Sequence, residues 1–173
     1  MKLLASSILI LVFVLSGCAR QEATLTEAQK TMIRQEVIQA MKPMWAACEK
    51  MDPAIMTKYC LDSPEFAFAT SDGKVYSYAE FCKSWPETVA RFPAQKISIR
   101  SENVIVLAPD AALYCWQGGN DMTQKDGTVL RADPTAGTYL LRKVGNAWKG
   151  AYFQESSLPM APVKPAEPAT AKK

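Results

Sequence analysis

The chain contains no histidine, and that absence removes more chemistry than any single residue present supplies. Without imidazole there is no Ser–His or Cys–His nucleophile pair and no ordinary His-liganded zinc site. Short paired cysteine intervals are missing as well. Cys48, Cys60, Cys82 and Cys115 stand too far apart for the ligand spacing of a structural zinc site. The 20 basic and 17 acidic residues leave a formal charge of +3 with no cationic block, so charge points to neither nucleic acid nor an acidic partner. No apolar run reaches the roughly 20 residues that a helix needs to cross a bilayer core. The longest, Leu3 to Leu15, is cut off by Ser16-Gly17. No metal, no cofactor and no catalytic set is expected from these residues.

Among what is present, Met1-Lys2 followed by the apolar run has the order of an export signal. Leu15-Ser16-Gly17-Cys18 then resembles the lipobox of bacterial lipoproteins. That resemblance implies a signal peptide over residues 1–17, removed in processing, and a lipidated Cys18, with the lipid bilayer as partner. Residues 18–25 form a linker whose seven residues after Cys18 reach only about 25 Å when fully extended, so the domain would lie close to the membrane. Alanine rather than aspartate at position 19 implies delivery to an outer membrane, facing the periplasm, where the cell has one.

The folded part is expected over residues 26–158. Ile33, Val37, Met41, Met44, Cys48 and Met51 recur at three- and four-residue steps, the apolar stripe of one long helix. Thr24 or Thr26 caps it, each with Glu27 or Gln29 three residues on, and Pro43 predicts a kink. Asp52-Pro53 opens a short second helix, and Ser77 with Glu80 a third, carrying Phe81, Trp85 and Val89 at four-residue steps and a proline, Pro86, that kinks or divides it. Ser71-Asp72-Gly73-Lys74 reads as a hairpin turn. From Gln95 the period changes to two, with a phase slip near Glu102-Asn103 that suggests a bulge. Asp133-Pro134 and Gly137 read as interruptions, and Gly145-Asn146 as a last tight turn. Residues 159–173, with proline at every third position among Ala and Lys, read as an extended, disordered tail.

Three helices followed by a meandering sheet, with Trp45, Ala47 and Asp52 in and after the first helix, Phe66 in the first strand and Trp148 through Ser156 in the last, resemble the nuclear transport factor two-like superfamily and its SnoaL-like members. The resemblance implies an α+β fold, a cone-shaped curved antiparallel sheet packed on three N-terminal helices. It also implies that the last strand's inward face lines a pocket. Counting by twos from Trp148 places Tyr152 and Gln154 on that face, where many relatives carry histidine, and Glu155 on the other.

On this reading Trp45, Tyr59, Phe66, Trp85, Tyr152 and Gln154 line a pocket for an apolar small molecule with one polar group. Tyr59, Tyr114 and Tyr152 could donate to an oxyanion, but Asp62, Asp72 and Asp121 sit at turns or a loop and Glu155 has the wrong parity for a base. The leading expectation is therefore a membrane-anchored binding or accessory domain. The alternatives are a small isomerase or hydrolyase of the SnoaL-like kind, and a structural envelope lipoprotein that forms a homodimer through its outer sheet face. The four remaining cysteines are open to two readings, buried thiols or a disulfide.

Overall fold

The structure, a computed structural model, describes residues 24–163, without the side chains of 54–56. Cys18 and the residues before it, and the tail from 164 on, lie outside the described residues. Helix α1 runs over Glu27–Glu49. Its start is the Thr26 alternative: the Thr26 hydroxyl accepts from the Gln29 amide while the Gln29 side chain accepts from the Thr26 amide, closing a capping box. Ile33, Val37, Met41, Met44 and Cys48 are buried as the stripe requires, with Met51 just beyond the helix. Pro43 does not end α1, which continues to Glu49. The proline cost of about 3 kcal/mol is offset by burying Met41, Met44, Ala47 and Cys48 around it, at roughly 1.5–3 kcal/mol for each large apolar side chain.

Helix α2 spans Pro53–Tyr59, and strands β1 (Ala67–Ala69) and β2 (Val75–Tyr76) form the hairpin across Asp72-Gly73. Gly73 takes the positive φ of 84° that the turn needs. Helix α3, Tyr78–Arg91, starts at the Ser77–Glu80 capping box and passes through Pro86 undivided. Four long strands follow: β3 (Ala94–Ala108), β4 (Ala111–Thr123), β5 (Val129–Val144) and β6 (Ala147–Ser157).

The spatial order is β2-β1-β6-β5-β4-β3. The four long strands pair antiparallel, whereas β1 joins β6 in parallel, a departure from an all-antiparallel sheet. Register slips bend the sheet into an open cone around α1. One falls at Arg100, just before the expected Glu102-Asn103, and one faces Asp133-Pro134, which sits inside β5 rather than interrupting it. A third is at Ala151, between the pairs Leu140–Tyr152 and Leu141–Gly150.

The chain past Leu158 does not leave the domain at once, contrary to the tail expected from residue 159. Strand β7 (Ala161–Pro162) pairs with β5 beside Leu130 and Arg131, and the Val163 amide donates to the Val129 carbonyl at 2.9 Å. Backbone pairing at the unused edge of the β5 start holds this segment, which proline spacing alone does not reveal.

Candidate active site

The concave face of the sheet, with α1 and α3 across it, encloses a cavity of about 290 Å³. Most of its wall is apolar: Met44, Trp45 and Cys48 from α1, Phe81 and Trp85 from α3, Phe68, Trp116 and Phe153 from the sheet. Among the described lining residues Glu155 is the one acid, and none is a lysine or arginine.

Two cross-strand rows position the acid. Tyr114, Tyr139 and Phe153 are partners across β4, β5 and β6, and so are Trp116, Gly137 and Glu155. Gly137 is small for a reason: a Cβ there would stand 2.3 Å from Trp116 Nε1, so only glycine lets the indole lie against β5 beside Glu155. The Tyr139 hydroxyl donates to Glu155 Oε1 at 2.5 Å. Glu155 shows part of its surface to the cavity but is ringed by protein, so burial raises its carboxyl above the ordinary 4.5, with the Tyr139 hydrogen bond acting in the opposite direction. The Tyr139 phenol is pushed well above 10, first by burial and then by the neighbouring carboxylate. Burial likewise drives up the Cys48 thiol and lifts that of Cys60 to about 12, so both stay protonated and poorly nucleophilic at neutral pH.

Among the described residues of the lining, the Trp85 indole nitrogen and the Asn120 side-chain oxygen are buried without a hydrogen-bond partner, while the Trp116 indole nitrogen is directed at the Tyr139 hydroxyl. Such atoms cost about 1–3 kcal/mol each when left dry. A second Tyr–Glu pair lies next to the first. Trp45 Nε1 donates to the Tyr114 hydroxyl at 3.3 Å, and that hydroxyl donates to Glu102 Oε2 at 2.7 Å.

Of the six residues expected to line the pocket, the structure brings together Trp45 and Trp85. Phe66 is buried beside the cavity, in an aromatic cluster with Tyr78, Phe81 and Phe153. Tyr59 lines a separate open groove on the far side of α1. Tyr152 and Gln154 face the other way: Tyr152 is exposed, and Gln154 donates to the Ser156 hydroxyl. The cause is the extra residue at Ala151. Trp148 and Gly150 face inward, the bulge shifts the phase by one, and Phe153 and Glu155 take the inward places after it. A readable signal exists, because an isolated glycine inside a strand marks a bulge or a close approach. At Gly150 a Cβ would stand 2.0 Å from the tip of the Phe153 ring, which folds back over it. Glu155 is the site residue that counting by twos misses.

A family model described as a SnoaL-like domain matches residues 37–161. No curated protein sequence matches the chain. Among solved structures, a nuclear transport factor 2-like superfamily protein of Salmonella enterica serovar Typhimurium aligns with TM-score 0.67 at 15% identity, over 83% of this chain and 99% of its own. A Novosphingobium aromaticivorans protein assigned as a scytalone dehydratase aligns with TM-score 0.68 at 8% identity, over 86% and 100%. A hexachlorocyclohexane dehydrochlorinase of Novosphingobium barchaimii gives 0.65 at 8%, over 80% and 94%. At these identities the likeness is one of fold.

Proposed function

The chain belongs to the SnoaL-like domain family, and we propose that it is a lyase or isomerase of neutral, ring-bearing small molecules in which Glu155 moves the proton. The observation that carries this reading is the carboxyl of Glu155, held by Tyr139 inside a mostly apolar cavity. Burial raises its proton affinity above that of an ordinary carboxyl, the direction that strengthens a base. The carboxylate takes a proton from an activated carbon, and the C–H electron pair forms a double bond. A leaving group on the next carbon departs with its bonding pair in an elimination, or the charge moves onto a conjugated carbonyl oxygen in an isomerisation. In the second case the Glu155 proton returns to a different carbon, and the Trp116 indole N–H, which lies beside the Tyr139 hydroxyl in the same lining, is a donor for the developing oxyanion. A dehydratase and a dehydrochlorinase among the fold's relatives support elimination by analogy of fold.

The test is deuterium uptake next to the carbonyl of 2-tetralone in heavy water, followed by NMR. Exchange well above buffer, lost in Glu155→Gln, is expected; exchange that persists in that variant defeats the reading. Attachment to a bilayer through an acylated Cys18 is part of the same proposal and rests on the lipobox resemblance. Incorporation of labelled fatty acid that is unchanged in Cys18→Ser would remove it.

A homodimer through the sheet is supported by a separate observation. Ile105, Leu113, Leu140 and Tyr152 are cross-strand partners in one row on the outer face, where Ile105 is 47% and Tyr152 37% exposed. An apolar row of this kind suits a self-complementary interface. Sedimentation of the wild type as a dimer and of Leu140→Lys as a monomer is the expected result.

A further inference from the structure

From the unpartnered polar atoms at the far end of the cavity, we infer that its ligand is an uncharged one- or two-ring compound carrying a hydroxyl group bound by Trp85 and Asn120. This rests on the proposal that the cavity takes a small molecule, and adds which one it selects. Asn120 lies four residues beyond Trp116 on β4, across a bulge, so its end of the cavity is on the order of 10 Å from the Glu155 row at about 3.3 Å per strand residue. Trp85 reaches the same end: it packs against the cluster of Met51, Phe92 and Met122, and Met122 follows Asn120 by two residues on β4 and shares its cavity lining. There the indole nitrogen is a buried donor and the Asn120 oxygen a buried acceptor, neither with a protein partner. A hydroxyl satisfies both at once, since its oxygen accepts from the indole N–H while its proton is donated to the amide oxygen. A carbonyl answers only the indole, and a hydrocarbon answers neither.

Size and charge narrow the class further. About 290 Å³ stands at the lower edge of ligand pockets, roughly 300–1,000 Å³, which suits one or two fused rings between the aromatic walls. An anionic ligand would meet Glu155 with no lysine or arginine among the described lining residues to balance it. Sites that hydrogen-bond a hydroxyl reject the analogue lacking it, because their own polar atoms are then left dry.

Equilibrium dialysis of the full chain against 2-naphthol, naphthalene and 2-naphthoate at pH 7 tests this. The expected result is 2-naphthol bound at least tenfold more tightly than naphthalene, with 2-naphthoate weaker than both. Trp85→Phe and Asn120→Leu should each lower the ratio of 2-naphthol to naphthalene affinity toward one. Equal affinity for 2-naphthol and naphthalene, no binding of 2-naphthol, preferred binding of 2-naphthoate, or a hydroxyl preference that survives both substitutions would overturn the inference. Because the wild-type comparison needs no variant, misfolding of either one does not rescue it. Binding is read without turnover, so the two ideas fail separately: hydroxyl preference without tetralone exchange removes Glu155 as the base, and exchange without preference removes the hydroxyl site.

Discussion

Two tyrosine–glutamate pairs stand in adjacent parts of the same sheet, and only one of them is set up to move a proton. Tyr114 donates to Glu102, and Tyr139 donates to Glu155; both phenols are buried and both are raised by that burial. The difference is on the acid side. Glu102 lies at the exposed β3 edge, open to water. Glu155 lies inside the cone, where desolvation raises its carboxyl. The same residue pair therefore serves as a structural hydrogen bond in one place and as a candidate base in the other, and the cavity makes the distinction.

The largest effect should come from separating the two acids by substitution. Glu155→Gln is expected to lower proton exchange on 2-tetralone by at least a hundredfold, in line with the usual worth of a general base, whereas Glu102→Gln should change it less than threefold. Exchange kinetics on both variants decide this, and equal losses would mean that the two pairs act as one. Crowding the row beside Glu155 comes next. Gly137→Ala drives a Cβ against Trp116 and should cost about 1–3 kcal/mol in chemical unfolding, as overpacking does; no equivalent loss is expected from Ala136→Ser, on the outer side of the same strand.

A third contrast is in pH. Because the folded state raises the Glu155 carboxyl above its ordinary 4.5, the folded chain holds that proton more tightly than the unfolded one. Its contribution to stability is intact below about pH 4.5 and is lost as pH rises through the raised value. Glu155→Gln should therefore gain stability relative to the wild type as pH rises from 4 to 8, with the gap closing again toward pH 4. Exchange activity should run in the opposite sense and rise with pH through the same range, since the base must be ionised. Thermal melts and rates across pH 4–8 give both curves. The smallest effect is expected at Gln154→Leu, which should leave 2-naphthol binding unchanged because that side chain is directed to Ser156 rather than the cavity.

Much of the fold is legible in the chain because the forces that set it are local. The stripe from Ile33 to Met51 requires a helix with one buried face. The Ser77–Glu80 box fixes where α3 begins, and Asp72-Gly73 and Gly145-Asn146 place two hairpins through their backbone preferences. The family resemblance names Trp45 and Trp85 as pocket residues, Trp85 also standing on the Phe81–Val89 face of α3, and both line the cavity. Non-local pairing hid the rest. Strand β7 depends on a free edge at the start of β5, and the Tyr139–Glu155 bond joins residues whose approach is set by the β5–β6 register.

The sequence by itself determined the helices, their caps, the turns, the family resemblance and the exclusion of histidine chemistry, since each depends on residues close together in the chain or on composition. Only the tertiary structure decided which side of the last strand looks into the cone. One extra residue at Ala151, beside the glycine that receives the Phe153 ring, turns Tyr152 and Gln154 outward and Glu155 inward. With a side-chain period of two, a single-residue slip exchanges the faces of everything beyond it.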